Sequence, residues 1–198
     1  MINKELLIQF GAIQKSYCKN ERIFSEQESA RYYYQILQGI VKMNNYSEEG
    51  KEFIQGIFYK DQSFGEPPLF GAINYPANAE TLTDTTILAL PKRALFDLLR
   101  NNPEIHLNVT KALANRLYYK AIIATEISSH EPEHRVLRYI DYLKYEVHQV
   151  EKKFDFQVEH TRQQIADLLG LRVETVIRVI KNLEKKNEVK ILNRKVYR

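Results

Sequence analysis

The sequence of 198 residues predicts an α+β chain in three parts: a small antiparallel barrel or sandwich, a long helix, and a C-terminal helix-turn-helix with a wing. Three patterns support this prediction. Residues 23–91 contain short alternating segments between turn signals, which is typical of antiparallel sheets. Residues 103–129 repeat apolar positions at helical spacing. From Thr161 onward, a capped helix, a glycine turn and a second helix follow one another.

The β-rich part runs from Ile23 to Pro91. Around residues 32–36, apolar side chains alternate between the two sides of an extended chain. The segments 47–50 and 60–62 have the composition of turns and separate further short apolar runs. Because each run is short and bounded by turn residues, we predict antiparallel strands that close into a barrel or stack as a sandwich.

A short helix is predicted at 93–100, and Pro103 begins a long one because its fixed φ suits a first helical turn. The long helix carries one narrow apolar stripe, which comprises Ile105, Val109, Leu113, Leu117, Ala121, Ala124 and Ile127. Such a stripe packs against a second copy of the helix or against the barrel of its own chain. We expect the second copy. The predicted homodimer contacts are Val109, Leu113, Leu117, Ala124 and Ile127.

The clearest motif lies in the C-terminal third. Thr161 and Gln164 fit a capping box at a helix start, and Gly170 can adopt the left-handed conformation that ends the helix. A second helix begins three residues later. Its inner face has Val176, Ile180 and Leu183, and its outer face has Glu174, Arg178, Lys181 and Lys185. The pattern predicts a helix-turn-helix, and residues 189–197 predict a hairpin wing after it.

In a helix-turn-helix, the second helix lies in the major groove of DNA. Arg178 can donate two hydrogen bonds to guanine, and Glu174 can accept one from cytosine. We predict that four further side chains contact phosphates, namely Thr161, Arg162, Arg172 and Lys181. Arg172 stands at the N-cap of the second helix, where serine or threonine is about 1 kcal/mol better. The alternative is an ordinary helical hairpin with a solvated face.

The net charge of +4 is located in this same part of the chain. Residues 1–129 contain 14 basic and 14 acidic residues, and residues 130–153 contain five of each. Residues 154–198 contain 10 basic residues against six acidic ones, so they carry the whole excess. A basic terminal module favours a polyanionic partner.

Several function classes are disfavoured by composition. One cysteine, Cys18, excludes an internal disulfide framework and an iron–sulfur cluster held by four thiolates of one chain. His130 and His134 have the spacing of a zinc protease motif, but Pro132 between them begins a helix, so we predict no metal site. No apolar run approaches the ~20 residues of a membrane span. We expect no secretory signal, no membrane association, a cytoplasmic location and no enzymatic activity.

The order of parts resembles the Crp/Fnr-type transcription regulators of bacteria over nearly the whole chain. The resemblance is carried by residues 34–41 (YQILQGIV), 61–66 (DQSFGE), 102–103 (NP), 115–117 (NRL), 161–166 (TRQQIA) and 173–178 (VETVIR). It implies an N-terminal cyclic-nucleotide-binding-like β-roll (a double-stranded β-helix or jelly-roll-like fold) at 1–102, a dimerisation helix at 103–129 and a winged helix-turn-helix at 130–198.

For function, the resemblance implies a homodimer that reads double-stranded DNA through Glu174 and Arg178, with Thr175 in support, and RNA polymerase as a further partner. Ile177 stands where some members of the family have a small polar residue. The competing hypotheses are a ligand-sensing or protein-interaction module whose winged helix does not read DNA, and a metal hydrolase.

The sequence Phe64-Gly65-Glu66 is either a purely structural turn or a candidate ligand site, in which glycine admits a ligand to the backbone and Glu66 accepts from a sugar hydroxyl. The resemblance implies an effector pocket here, which we assign to Phe64, Gly65, Glu66, Asn78 and Lys120.

Members that bind cyclic AMP follow this turn with an Arg-Ser/Thr-Ala triplet, whose arginine neutralises the phosphate, and present Thr-Ser from the long helix. This chain has Ala77-Asn78-Ala79 and Lys120-Ala121 instead. Because a buried phosphate without a partner charge is strongly disfavoured, we predict no ordinary response to cyclic AMP. The effector remains unassigned.

Overall fold

The computed structural model describes residues 2–129 and 131–198, and the side chains of residues 126–129 lie outside that description. The chain divides into two compact units, Met1–Leu117 and Tyr118–Arg198, and the division falls within one long helix. None of the described helices is both long and apolar enough to cross a membrane.

The first unit contains eight strands in two four-stranded antiparallel sheets, as the predicted β-roll requires. The strands are β1 (Ile13–Tyr17), β2 (Arg22–Phe24), β3 (Tyr32–Gln38), β4 (Val41–Tyr46), β5 (Glu52–Phe58), β6 (Ser63–Phe64), β7 (Asn78–Thr81) and β8 (Thr85–Pro91). Their orders are β1-β8-β3-β6 and β2-β7-β4-β5. Strand β1 lies outside the predicted span, because four of its five side chains are polar or only half-buried and no apolar alternation marks it.

Strand β3 is buried on both faces, which explains its continuous run of large apolar residues. Tyr34 and Ile36 belong to the core inside the roll, with Phe24, Phe64 and Tyr75. Tyr33 points the other way and packs with Leu88 and Leu90 in a second core. Helices cover that second core, so the roll buries both sides of its central strands.

Four helices accompany the sheets: α1 (Lys4–Gln9), α2 (Pro67–Gly71), α3 (Lys92–Asn101) and α4 (Pro103–Ser129). Helix α4 begins at Pro103, as predicted. Val109 is only 6% exposed and lies in the second core with Leu95 and Leu98, and Leu113 packs against the same core. Val109 and Leu113 of the predicted dimer stripe therefore have packing partners within their own chain.

The second unit has a three-stranded sheet and three helices after α4. They are α5 (Pro132–Asp141), β9 (Gln157–Val158), α6 (Arg162–Leu169), α7 (Val173–Lys185), β10 (Lys190–Leu192) and β11 (Lys195–Tyr197), with strand order β10-β11-β9. A π-helical segment, Tyr142–Val147, continues α5. Residues 152–158 alternate in sequence like a strand, but only Gln157–Val158 are one, because Phe154 has a φ of +63° and breaks the extended chain.

Candidate DNA-binding face and sensor pocket

The start of α6 has the predicted capping box. The Thr161 hydroxyl accepts from the Gln164 N–H at 3.1 Å, and the Gln164 side chain accepts from the Thr161 N–H at 2.8 Å. These two bonds satisfy donors that a helix start otherwise leaves unpaired. Gly170, with a φ of +64°, ends the helix in the left-handed region. Together they fix the length of α6 and the tight turn into α7.

Helix α7 is held by one apolar face and presents the opposite face to solvent. Val176, Val179, Ile180 and Leu183 are buried against the rest of the unit. Glu174, Arg178 and Lys181 are exposed at spacings of four and three residues, so they lie along one side of the helix. The buried face leaves α7 little freedom to rotate and keeps that exposed side outward.

The exposed row formed by Glu174, Arg178 and Lys181 is uncommitted. Among the residues whose side chains are described, the side chains of Arg172, Glu174, Arg178 and Lys181 make no hydrogen bond or ion pair. Arg172 occupies the N-cap without capping the helix, as predicted. Thr175 is half-buried beside this row. The side chains of Arg172, Arg178 and Lys181 and the carboxylate of Glu174 can therefore bind a partner without breaking any contact within the described residues.

The wing is the hairpin of β10 and β11. Its two-residue turn consists of Asn193 and Arg194, both with positive φ (+49° and +66°), as a tight hairpin turn requires. The Arg162 guanidinium donates to the Arg194 carbonyl at 2.8 Å. Arg162, which the sequence predicts as a phosphate contact, therefore also links α6 to the tip of the wing. Its remaining guanidinium N–H groups are available to a phosphate.

A second arginine fastens the other end of the wing, and the sequence patterns did not reveal it. The Arg198 guanidinium donates to both carboxylate oxygens of Asp141, at 2.6 and 3.3 Å, and to the Glu188 carbonyl at 2.7 Å. Its ion pair with the Glu188 carboxylate completes the set. These contacts join α5, the start of the wing and β11, so they hold the wing in place beside the helices.

His160, next to the α6 cap, is a buried histidine. Its Nδ1 lies 2.6 Å from the Tyr139 hydroxyl. Burial, with a smaller contribution from His148, lowers the pKa of His160 to about 4. The ring is therefore neutral at pH 7. Its contact with Tyr139 holds α5 against the segment that leads into α6.

In the first unit, the predicted sensor residue Glu66 is 2% exposed and already has partners. Arg116 of α4 donates from one guanidinium nitrogen to both Glu66 carboxylate oxygens at 2.9 Å. Its other nitrogen donates to the Ser63 carbonyl at 2.6 Å, and the Ser63 hydroxyl donates to Glu66. The guanidinium also lies over the Phe58 ring, 5.2 Å from its centre. Arg116 follows Leu113 by three residues, so both side chains lie on the side of α4 that faces the roll.

Gly65 and Asn78 each have close contacts within the roll. A Cβ on Gly65, whose φ is +71°, would lie 2.9 Å from the Phe24 ring, so the space that glycine leaves is filled by an aromatic side chain. Asn78 accepts from the Glu26 N–H at 3.0 Å and donates to the Asn44 carbonyl at 3.2 Å. Phe64 is fully buried among the rings inside the roll.

The remaining positions of the predicted pocket differ in burial. Ala77 and Ala79 of the triplet are fully buried in the core of the roll. Lys120 is exposed on the part of α4 that belongs to the second unit. A separate cleft of about 320 Å³ is lined by Tyr32, Tyr34 and Tyr75, among other residues of the roll. The buried Tyr75 hydroxyl has no hydrogen-bond partner in the described part of the chain.

Helix α4 has a second, exposed apolar row besides the row that packs on the roll. Leu107 is 54% exposed and Leu117 is 71% exposed. With the exposed Ala114, Ala121 and Ala124 they follow steps of seven, three, four and three residues, which is the spacing of a coiled-coil seam. Leu117 and Ala124 of the predicted interface belong to this row, whereas the side chain of Ile127 lies outside the described residues.

The described His, Cys, Asp and Glu residues do not form a cluster that could bind a metal ion. Pro132 begins α5, as predicted, and His134 is exposed on its first turn. His130, the other histidine of the protease-like motif, lies outside the described residues. Across residues 2–129 and 131–198, with the side-chain exception above, no three His, Cys, Asp or Glu residues lie close enough to hold an ion.

Each of the two units contains a segment that matches a known protein family. A family model described as cyclic nucleotide-binding domain matches residues 14–102, and one described as Crp-like helix-turn-helix domain matches residues 134–197. The cAMP-activated global transcriptional regulator CRP of Haemophilus influenzae is 28% identical over 88% of this chain and 78% of its own length. The fumarate and nitrate reduction regulatory protein of Yersinia pestis is 25% identical over 85% and 68%.

Solved structures agree on the fold. FixK2 from Bradyrhizobium japonicum matches 94% of this chain and 91% of its own with a TM-score of 0.77 and 21% identity. The global regulator CLP of Xanthomonas campestris, described as responsive to c-di-GMP, matches 96% and 97% with a TM-score of 0.76 and 20% identity. The matched family models and relatives cover the β-roll and the winged helix in this order, and the chain therefore belongs to the Crp/Fnr-type transcription regulators.

Proposed function

We propose that this protein is a homodimeric transcription regulator that reads a near-palindromic DNA site with the exposed side of α7, and that its effector is not cyclic AMP bound in the usual way. The observation that carries the DNA-reading part is the row of exposed, unpaired Glu174, Arg178 and Lys181 on a helix fixed by its buried opposite face.

The chemistry of that row suits base reading. Arg178 presents a planar fork of donors that matches O6 and N7 of guanine, and Glu174, one turn earlier, presents an acceptor for the amino group of cytosine. Lys181 and Arg172 supply charge to neighbouring phosphates, and Thr161 supplies a hydroxyl. Arg162 retains guanidinium donors beyond the one it gives to the wing.

The exposed seam of α4 supports the homodimer. Leu107 and Leu117 are large apolar side chains in water, and burial of such a side chain contributes roughly 1.5–3 kcal/mol. The small residues Ala114, Ala121 and Ala124 of the same row allow two helices to approach closely. In a symmetric pair, the two α7 helices would meet successive major grooves about 34 Å apart.

The closed state of Glu66 argues against ordinary cyclic AMP binding. The carboxylate that would accept from a ribose hydroxyl is neutralised by Arg116 and Ser63 of the same unit. Ala77 is buried where the triplet would place the arginine that neutralises the phosphate, and an unneutralised buried phosphate is strongly unfavourable. Room for a small molecule exists in the 320 Å³ cleft beside Tyr75. Any effector would act by favouring one of two arrangements of the DNA-binding units.

RNA polymerase is proposed as a further partner on the resemblance alone. The alternative function, a winged helix that binds protein, predicts no sequence preference for DNA.

In vitro selection of bound duplexes, followed by anisotropy titrations of the purified full chain, tests the DNA-reading proposal. We expect one enriched near-palindrome, and we expect Arg178→Ala to lose about 1–3 kcal/mol of discrimination at one base pair per half-site. Arg93→Ala is the matched control, because it removes one exposed arginine from the first unit. Selection without enrichment, or equal losses for Arg178→Ala on selected and random duplexes, would refute the base-reading role.

A further inference from the structure

Ile177 is an exposed apolar side chain on the DNA-facing side of α7. It is 42% exposed, although its neighbours Val176 and Val179 are buried. It follows Glu174 by three residues and precedes Lys181 by four, so its side chain lies between theirs on the helix surface. Arg178 is its neighbour in sequence and is also exposed.

The fold does not require an apolar residue at this position. The buried face of α7 is complete without Ile177, and a β-branched residue in an exposed helical position has no advantage in helix propensity over a polar straight-chain one. Ile177 also lies in the first two turns of α7, the part of a recognition helix that meets base edges when the helix lies in the major groove.

The major groove offers one apolar group to such a side chain. The groups that carry the donor and acceptor code of the base pairs are polar, whereas thymine also presents its C5-methyl group, which is the bulkiest apolar group in the groove. Glu174, Arg178 and Lys181 are all suited to polar groups, so an isoleucine among them has no polar partner to satisfy. Contact with a thymine methyl removes apolar surface of both partners from water.

We propose that Ile177 is a specificity-determining residue that packs on the C5-methyl group of a thymine close to the base pair read by Arg178. This inference rests on the proposed DNA-reading function and adds one base to it. Through this contact, Ile177 favours DNA sites that have thymine at that base pair, without a hydrogen bond from α7 to the thymine.

The test removes only the methyl group. In the selected duplex, each thymine of a half-site is replaced in turn by deoxyuridine, which keeps all hydrogen bonds, and affinities are measured by anisotropy. We expect one position at which wild-type affinity falls about fourfold, the effect of one buried methyl group (on the order of 0.8 kcal/mol). With Ile177→Ala, deoxyuridine and thymine at that position should bind equally, while discrimination at the Arg178 base pair remains.

Val147→Ala is the matched control, because it shortens an exposed apolar side chain of the same unit outside α7. It should keep the fourfold preference, and circular dichroism should report the same helix content for all variants. The inference is overturned if no thymine is sensitive to loss of its methyl group, or if Ile177→Ala keeps the full preference. A protein that selects no sequence at all would overturn the proposed function as well, so the two failures are distinguishable.

Discussion

Replacing Arg116 by methionine removes the guanidinium that neutralises Glu66 while keeping most of the side-chain volume. In the native unit, Glu66 is 2% exposed and Arg116 is 30% exposed, and they share two hydrogen bonds of 2.9 Å. The variant leaves a carboxylate in the roll with the Ser63 hydroxyl as its remaining partner. Folding of the first unit must then bury a charge that water solvates well in the unfolded chain.

Breaking a buried ion pair by removing one partner costs about 3–5 kcal/mol. Because the Arg116 side of this pair is partly exposed, water can approach the vacated place, and we expect about 2–4 kcal/mol for Arg116→Met. The double variant Arg116→Met with Glu66→Gln removes both charges. It should lose less than the single variant, since replacing both members of a pair is often nearly neutral.

Urea unfolding of the full chain, followed by far-ultraviolet circular dichroism, measures these free energies, and the two single variants with the double one form a thermodynamic cycle. A coupling of about 2 kcal/mol or more between positions 66 and 116 is expected. The reasoning is refuted if Arg116→Met changes the free energy of unfolding by less than about 0.5 kcal/mol, or if the double variant loses the sum of the single losses.

Three further predictions concern α4 and the second unit. The pKa of His160 is about 4 in the folded chain and about 6.5 in the unfolded chain, so the unfolded chain binds more protons between these values. The free energy of unfolding should therefore fall by about 2 kcal/mol from pH 7 to pH 5. The urea midpoint of His160→Gln should change less with pH than that of the wild type. Arg198→Ala should destabilise the winged unit by about 2–3 kcal/mol, because it leaves Asp141 unpaired; an unchanged thermal midpoint would contradict this. If the chain forms the proposed dimer, Leu117→Glu should convert it to monomer in sedimentation velocity, and a dimer that the substitution leaves unaltered would exclude the seam.

The parts of the fold that the sequence predicts are those that depend on residues close together in the chain. The capping box at Thr161, the left-handed Gly170 and the start of α4 at Pro103 each depend on residues within one turn of the chain. The two faces of α7 follow from helical periodicity alone. These elements fix the candidate DNA-binding face, and it was therefore predictable in detail.

The parts that sequence did not reveal depend on residues distant in the chain. Glu66 and Arg116 are 50 positions apart, and Arg198 meets Asp141 across 57. Helix α4 also combines two apolar rows, one against the roll and one exposed, and a single-stripe interpretation mixes Val109 with Leu117. Separating them requires knowing which side the roll occupies.

The salt dependence of binding to the selected duplex tests the central claim most directly. If α7 reads DNA with phosphate contacts from Arg162, Arg172 and Lys181, the logarithm of the association constant should fall linearly with the logarithm of salt concentration, with a slope of about −0.9 per phosphate contact. The selected duplex should remain at least about a thousandfold better than a scrambled one at physiological salt. Binding that is insensitive to salt, or equal for the two duplexes, would contradict the account.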